Sequence, residues 1–139
     1  MLHIDKLKKY SVILASQSPR RKEILLRIPG FEFVQITSPF DERTLDKNSF
    51  GSVQEYVTTS AKCKAQYLMD AKGKSGGDDR PPLVIAADTV VVREGQILEK
   101  PADAAKNLAF LRELNGSAHS VYTLHSALCS GSCCVLLPL

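Results

Sequence analysis

The sequence predicts an α/β fold, and three observations carry that reading. Short apolar, β-branched runs at Val12–Ala15 and Leu83–Val92 alternate with stretches of helical periodicity at Arg21–Ile28, Val53–Lys72 and Ala102–Leu114. Glycine, proline and asparagine fall at the joints between them. No internal repeat is visible, and 139 residues with 44% hydrophobic content suit one ordinary domain.

Each element has a local reason. Met1–Tyr10 is a polar, basic lead-in, read as a short helix or a frayed end. Val12–Ala15 is too apolar for a surface and reads as a buried strand. Arg21–Ile28 is a helix with Ile24, Leu25 and Ile28 on one face, stopped by Pro29-Gly30. Phe31–Ile36 alternates in a way that suits a strand, and Thr37–Ser52, rich in Ser, Pro, Asp and Asn, reads as a loop. In Val53–Lys72 the residues Val53, Tyr56, Val57, Ala61, Ala65, Leu68 and Met69 recur at helical spacing, which makes it the longest helix. Gly73–Pro82 is a polar connection. Leu83–Val92 is then a central strand, Glu94-Gly95-Gln96 a hairpin turn with Ile97-Leu98 returning, Ala102–Leu114 an amphipathic helix ended by Asn115-Gly116, and Ser120–Leu128 a further strand.

Composition narrows the function classes. The net charge is +3, with eighteen basic residues against fifteen acidic ones and no concentrated cationic stripe, so nucleic-acid binding is not expected. No apolar run reaches the roughly 18 residues that cross a bilayer, and no early segment has the form of a signal peptide. No membrane association and a cytoplasmic location are therefore the expectation. Cys129, Cys133 and Cys134 crowd the end of the chain, but no fourth ligand follows and His125 has no committed spacing, so reduced thiols in a loose tail are expected rather than zinc.

Ser16-Gln-Ser-Pro-Arg-Arg21, set between the first strand and the first helix, is a candidate phosphate corner. A helix N-terminus offers unpaired N–H groups and the positive end of the helix dipole. Ser18 suits the N-cap and Pro19 the first helical position, and Arg20 and Arg21 add planar donor forks. A capped helix with a solvated basic first turn is the competing reading. Asp88 interrupts a core strand, and burying a carboxylate is costly without compensation. It is either functional or placed at an exposed strand end or sheet edge. Asp41-Glu42 gains meaning only if the fold brings Glu42 near Asp88, when two carboxylates can share a magnesium ion with substrate phosphates. Lys64 and Lys100 are point charges suited to a polyphosphate or to plain solvation.

Four separated segments resemble the Maf family of nucleoside triphosphate pyrophosphatases, in the family's order: Ser-x-Ser-Pro-Arg-Arg at residues 16–21, the helix from Tyr56 through Ala65 with a lysine before alanine, Ala-Ala-Asp-Thr-Val-Val at 86–91 with Leu-Glu-Lys-Pro-Ala-Asp at 98–103, and Leu114–Thr123. The resemblance covers about Ser11–Thr123. It implies a Maf/ITPase-like mixed sheet flanked by helices around a nucleotide cleft, and hydrolysis between the α and β phosphates to a monophosphate and pyrophosphate. Carried over by position, it makes Asp88 the proton acceptor and assigns substrate contacts to Ser16, Arg20, Arg21, Lys64, Thr89 and Lys100, with Arg20 and Thr89 at base-selecting positions. Glu42 and Asp88 would hold a divalent metal, magnesium with manganese as the alternative. The absence of tryptophan between Pro19 and Arg20 is similar to the branch acting on dTTP and UTP, and relatives suggest a homodimer.

After Thr123 the resemblance ends. The family's Lys-Ala-Gly-x-Tyr-Gly-Ile-Gln-Gly segment is not identifiable in the sequence. Three regions are expected: an extension over 1–10, an incomplete domain over 11–123 and a cysteine-rich tail without family counterpart over 124–139. On that reading the chain is a C-terminally truncated enzyme with impaired turnover, or alternatively a non-catalytic nucleotide-binding fragment.

Overall fold

The computed structural model describes residues 4–72, 79–98, 100–129 and 132–136. After a 3-10 turn at Ile4–Lys6 the elements are β1 (Ser11–Ala15), α1 (Pro19–Leu26), β2 (Val34–Gln35), α2 (Val53–Lys72), β3 (Pro82–Arg93), β4 (Gln96–Leu98), α3 (Ala104–Leu114), β5 (Ser120–Cys129) and β6 (Ser132–Leu136). They form one mixed sheet in the order β2-β1-β3-β5-β6, with β4 paired to β3. β1 lies parallel to both β2 and β3, whereas β3–β5 and β5–β6 are antiparallel.

This topology sets the site. From β1 the chain crosses outward to β2, and from β2 it crosses back over β1 to β3. Parallel crossovers are right-handed, so opposite directions of travel put α1 and α2 on opposite faces of the sheet. The segments leaving β1 and β2 diverge, and a crevice opens at their carboxyl ends, where open parallel sheets bind ligands.

α2 covers one face. Its spacing places Val57, Ala61, Ala65 and Leu68 in one buried stripe, and of these Ala65 and Leu68 pack with Ile13, Ala15, Val84, Ala86 and Leu128 from the strands. A second cluster joins Tyr56 and Val57 to Leu124, with Phe50, Val90 and Tyr122 around it. In β3 the alternation Val84, Ala86, Asp88, Val90 points at α2, so Asp88 sits inside the line of core residues.

Several sequence expectations are corrected. The expected strand over Phe31–Ile36 reduces to Val34–Gln35, because β1 offers β2 a register of only two residue pairs. α1 starts at Pro19, where the capping reading of Ser18 puts it, but ends at Leu26 and buries no residue, with Ile24 and Leu26 exposed. α3 likewise buries none, and Leu108 and Leu111 face outward. The hairpin turn is Glu94-Gly95 alone. Both residues have positive φ, 50° and 78°, which matches the twist of the flanking strands.

Residues 124–129 and 132–136 are not a loose tail. β5 runs without interruption from Ser120 to Cys129, pairing with β3 as far as Leu83, and β6 adds Ser132–Leu136 to its other side. The residues Leu124, Ser126 and Leu128 alternate inward and are buried, a period-two pattern that continues the strand past the point where the family's motifs end. The polar connection read at Gly73–Pro82 lies largely outside the described residues, as does Glu99.

Candidate active site

A cleft of about 440 Å³ opens at the ends of β1 and β2, within the range of small-molecule sites. Ser16, Gln17 and Ser18 leave β1 into it; Thr37, Ser38, Phe40 and Glu42 enter from the segment after β2; Lys64 comes from α2, Ala87, Asp88 and Thr89 from β3, and Lys100 from the segment after β4. Of the sequence-predicted residues, Ser16, Arg21, Glu42, Lys64, Asp88, Thr89 and Lys100 meet here.

Arg20 does not. It is exposed and lines no part of the cleft. Successive helical residues point about 100° apart, and the first turn of α1 spends its inward position on Arg21. Ser18 occupies the N-cap, yet its side chain caps nothing. Instead Ser16 Oγ accepts the Ser18 N–H at 3.1 Å, and Gln35 Nε2 donates to the Ser16 carbonyl at 2.7 Å. The corner between β1 and α1 is therefore held from within and from β2.

Asp88 is 3% exposed. It lies mid-strand, paired with Leu124 of β5 in the gap between the β1 pairing that ends at Ala86 and the β4 pairing that starts at Val91, and its burial removes the reading of an exposed strand end or solvent-facing edge. Its Oδ1 accepts the Thr89 N–H at 3.0 Å and meets Lys64 Nζ at 3.2 Å. Its Oδ2 is buried and has no hydrogen-bond partner among the described residues. Lys64 Nζ also lies 2.5 Å from Glu42 Oε1, and Lys100 Nζ is 3.8 Å from the same oxygen. Lys64 is held at 12% side-chain exposure, whereas Lys100, at 84%, is free to swing.

Arg21 reaches the other side of β3. Its Nη1 donates to the Ala87 carbonyl at 2.8 Å and to Ser16 Oγ at 3.3 Å, and its Nη2 donates to Thr89 Oγ1 at 3.0 Å. Burial pulls this guanidinium below its ordinary value, against the opposing effect of the Asp88 and Glu42 charges. Burial, reinforced by the same two carboxylates, pushes Tyr56 above its ordinary value. Thr123, to which no role was assigned from the sequence, bonds Thr89 hydroxyl to hydroxyl at 2.9 Å. The signal was present: Thr123 closes the Leu114–Thr123 motif, and only the β3–β5 register shows what it faces.

Two acidic side chains from different segments, with one unpartnered buried oxygen between them and the cleft, offer hard oxygen donors. Mg²⁺ typically takes one or two carboxylates and completes its shell with water and substrate phosphates, so Glu42 and Asp88 fit such an ion. Among the described residues no group of three or more His, Cys, Asp or Glu side chains gathers into a fuller metal cage.

A family model described as "Maf-like protein" matches residues 11–134. The chain belongs to the Maf family. The match runs past Thr123 into β6, in keeping with the uninterrupted sheet. A "dTTP/UTP pyrophosphatase" of Clostridium perfringens (strain SM101 / Type A) is 43% identical over 112 residues, covering 81% of this chain and 54% of that protein. A protein of the same description from Caldicellulosiruptor bescii is 45% identical over 112 residues, covering 81% and 53%. The human "Probable bifunctional dTTP/UTP pyrophosphatase/methyltransferase protein" is 45% identical over 121 residues, covering 86% of this chain and 19% of that one. The chain thus spans about half the length of the bacterial relatives it matches. A solved structure titled "Structure of a HAM1 protein from Coxiella burnetii" aligns with a TM-score of 0.48 and 14% identity, over 91% of this chain and 68% of that one. Among the described residues no helix is long and apolar enough to cross a membrane.

Proposed function

We propose that this Maf-family chain hydrolyses nucleoside triphosphates of the dTTP and UTP type between the α and β phosphates, releasing the monophosphate and pyrophosphate. The observation that carries this reading is the buried Asp88 carboxylate, with one oxygen fixed by two donors and the other unpartnered at a cleft that also holds Lys64, Arg21 and Lys100. The printed descriptions of the relatives supply the substrate class.

Asp88 Oδ2 is the atom available to accept a proton, since Oδ1 is occupied by Lys64 and the Thr89 N–H. A general base must lie within hydrogen-bond reach of the proton it takes, and the water attacking the α or β phosphorus would sit against this oxygen. Lys64 bridges Asp88 and Glu42 and holds the two carboxylates close. Lys100, tethered only loosely to Glu42, is the cation placed to follow the phosphate chain as charge builds. Glu42 and Asp88 would hold a divalent metal, magnesium on chemical grounds, which when bound neutralises phosphate charge and polarises a phosphoryl oxygen.

Product analysis with dTTP or UTP and magnesium tests the reading. Equimolar monophosphate and pyrophosphate, lost in Asp88→Asn, support it. Diphosphate and orthophosphate, or no Asp88-dependent product, reject it.

A further inference from the structure

β1 pairs with β3 only as far as Ala15 against Ala86. One residue further, the Ala87 carbonyl accepts from Arg21 Nη1 at 2.8 Å, so a side chain continues the ladder that the strand leaves off. The same guanidinium donates to Ser16 Oγ and to Thr89 Oγ1. Three of its five N–H donors are therefore taken, one by Ser16 just past β1 and two by Ala87 and Thr89 of β3. Thr89 in turn bonds Thr123 of β5, the residue directly opposite it in the register. The chain Ser16–Arg21–Thr89–Thr123 spans the sheet on the face opposite Lys64, bracketing Asp88 at Ala87 and at Thr89.

We propose that Arg21 and Thr123 are positioning residues: they fix the Ala87–Thr89 backbone and through it aim Asp88 Oδ2, and Arg21 does not grip the substrate phosphates. This rests on the pyrophosphatase reading above. The Ala87 carbonyl belongs to the peptide that carries the Asp88 N–H, so holding it restrains the backbone from which the Asp88 side chain projects. The Thr89 N–H donates to Asp88 Oδ1, so a held Thr89 holds that oxygen as well. Phosphate contact falls instead to Lys100, which is exposed and poorly anchored. Burial lowering the Arg21 pKa accords with a guanidinium committed to protein acceptors.

The test compares wild type, Arg21→Lys, Thr123→Val and Thr123→Ser. A lysine ammonium cannot fork across Ala87 and Thr89. Arg21→Lys is expected to lower kcat about 100-fold, the scale of a base misplaced by about 1 Å. KM and the Kd of a non-hydrolysable α,β-methylene triphosphate should stay within about threefold. Thr123→Val is expected to lower kcat by about tenfold and Thr123→Ser to restore it, a rescue that loss of bulk alone would not give. A tenfold or larger rise in KM and Kd with kcat preserved in Arg21→Lys makes Arg21 a ligand and overturns the proposal, as does equal loss in both Thr123 variants.

A second readout separates the two levels of the argument. Nitrogen-15 NMR of the ligand-free chain should show resolved, restrained Arg21 Nη–H signals that Thr123→Val averages and added magnesium pyrophosphate leaves in place. If wild type neither hydrolyses nor binds the nucleotide, the pyrophosphatase reading fails; averaged Arg21 signals in the wild type then overturn the positioning role, and resolved ones leave the bracket standing without its catalytic purpose, which also overturns the proposal as stated.

Discussion

The ammonium of Lys64 stands 3.2 Å from Asp88 Oδ1, with both side chains almost fully buried, and the same ammonium touches Glu42. One cation therefore compensates two carboxylates drawn from a strand and from a distant loop. Because Glu42 remains a third exposed, the Asp88 side of this arrangement carries most of the desolvation. The first prediction concerns stability: Lys64→Met removes the cation paired with the buried Asp88, which costs about 3 kcal/mol. The double variant Lys64→Met/Asp88→Asn should recover a good part of that loss. Urea unfolding of the four members of the cycle checks it, and additive losses would mean the two residues do not interact.

Asp88→Asn alone addresses chemistry. Removing a general base lowers turnover by about 10²–10⁴-fold, while affinity for a non-hydrolysable triphosphate should be retained, because the amide keeps the shape of the cleft. Steady-state kinetics alongside calorimetric binding read both. A parallel loss of affinity would give Asp88 a binding role in place of a catalytic one.

Much of this site was legible in the sequence, and the reasons differ residue by residue. Asp88 announced itself as a charge inside an apolar strand, whereas Lys64 was visible only as a helix lysine before alanine, equally suited to solvation, until the fold set it against Asp88 and Glu42. Glu42 was visible only as an acid in a polar loop, since its approach to Lys64 depends on how the segment after β2 folds back. Arg20 and Arg21 look alike in sequence, and the phase of α1 alone separates them. Thr123 needed the β3–β5 register. The strand read at Ser120–Leu128 is β5, whose inward positions are Leu124, Ser126 and Leu128; β6 went unread, because the short cysteine-bearing run Ser132–Leu136 has no apolar alternation to mark it.

Arg20 provides a control. Being exposed and outside the cleft, Arg20→Ala should change stability by no more than about 0.5 kcal/mol, as surface substitutions do. Ile13→Ala, at a residue 1% exposed in the core beneath α2, should cost about 2–5 kcal/mol. Thermal or urea denaturation of the pair checks the burial pattern, and similar costs for both would contradict it.

Tyr56 gives a pH prediction. Its folded pKa is raised, first by burial and then by the Asp88 and Glu42 charges, so the folded state holds the phenolic proton more tightly than the unfolded chain. The corresponding stability is fully present below the unfolded value near pH 10 and is lost as pH rises from there through the raised folded value. Unfolding midpoints measured from pH 8 to 11 should fall above pH 10 for the wild type and fall less steeply for Tyr56→Phe. Equal slopes would show that Tyr56 is not the group responsible.

The central claim is that this cleft turns a triphosphate into a monophosphate with Asp88 as the base. Incubating the 139-residue chain with UTP or dTTP and magnesium, and separating the products, tests it most directly. The account predicts monophosphate and pyrophosphate in equal amounts, abolished by Asp88→Asn; release of orthophosphate, or the same products at the same rate from the Asn variant, would contradict it.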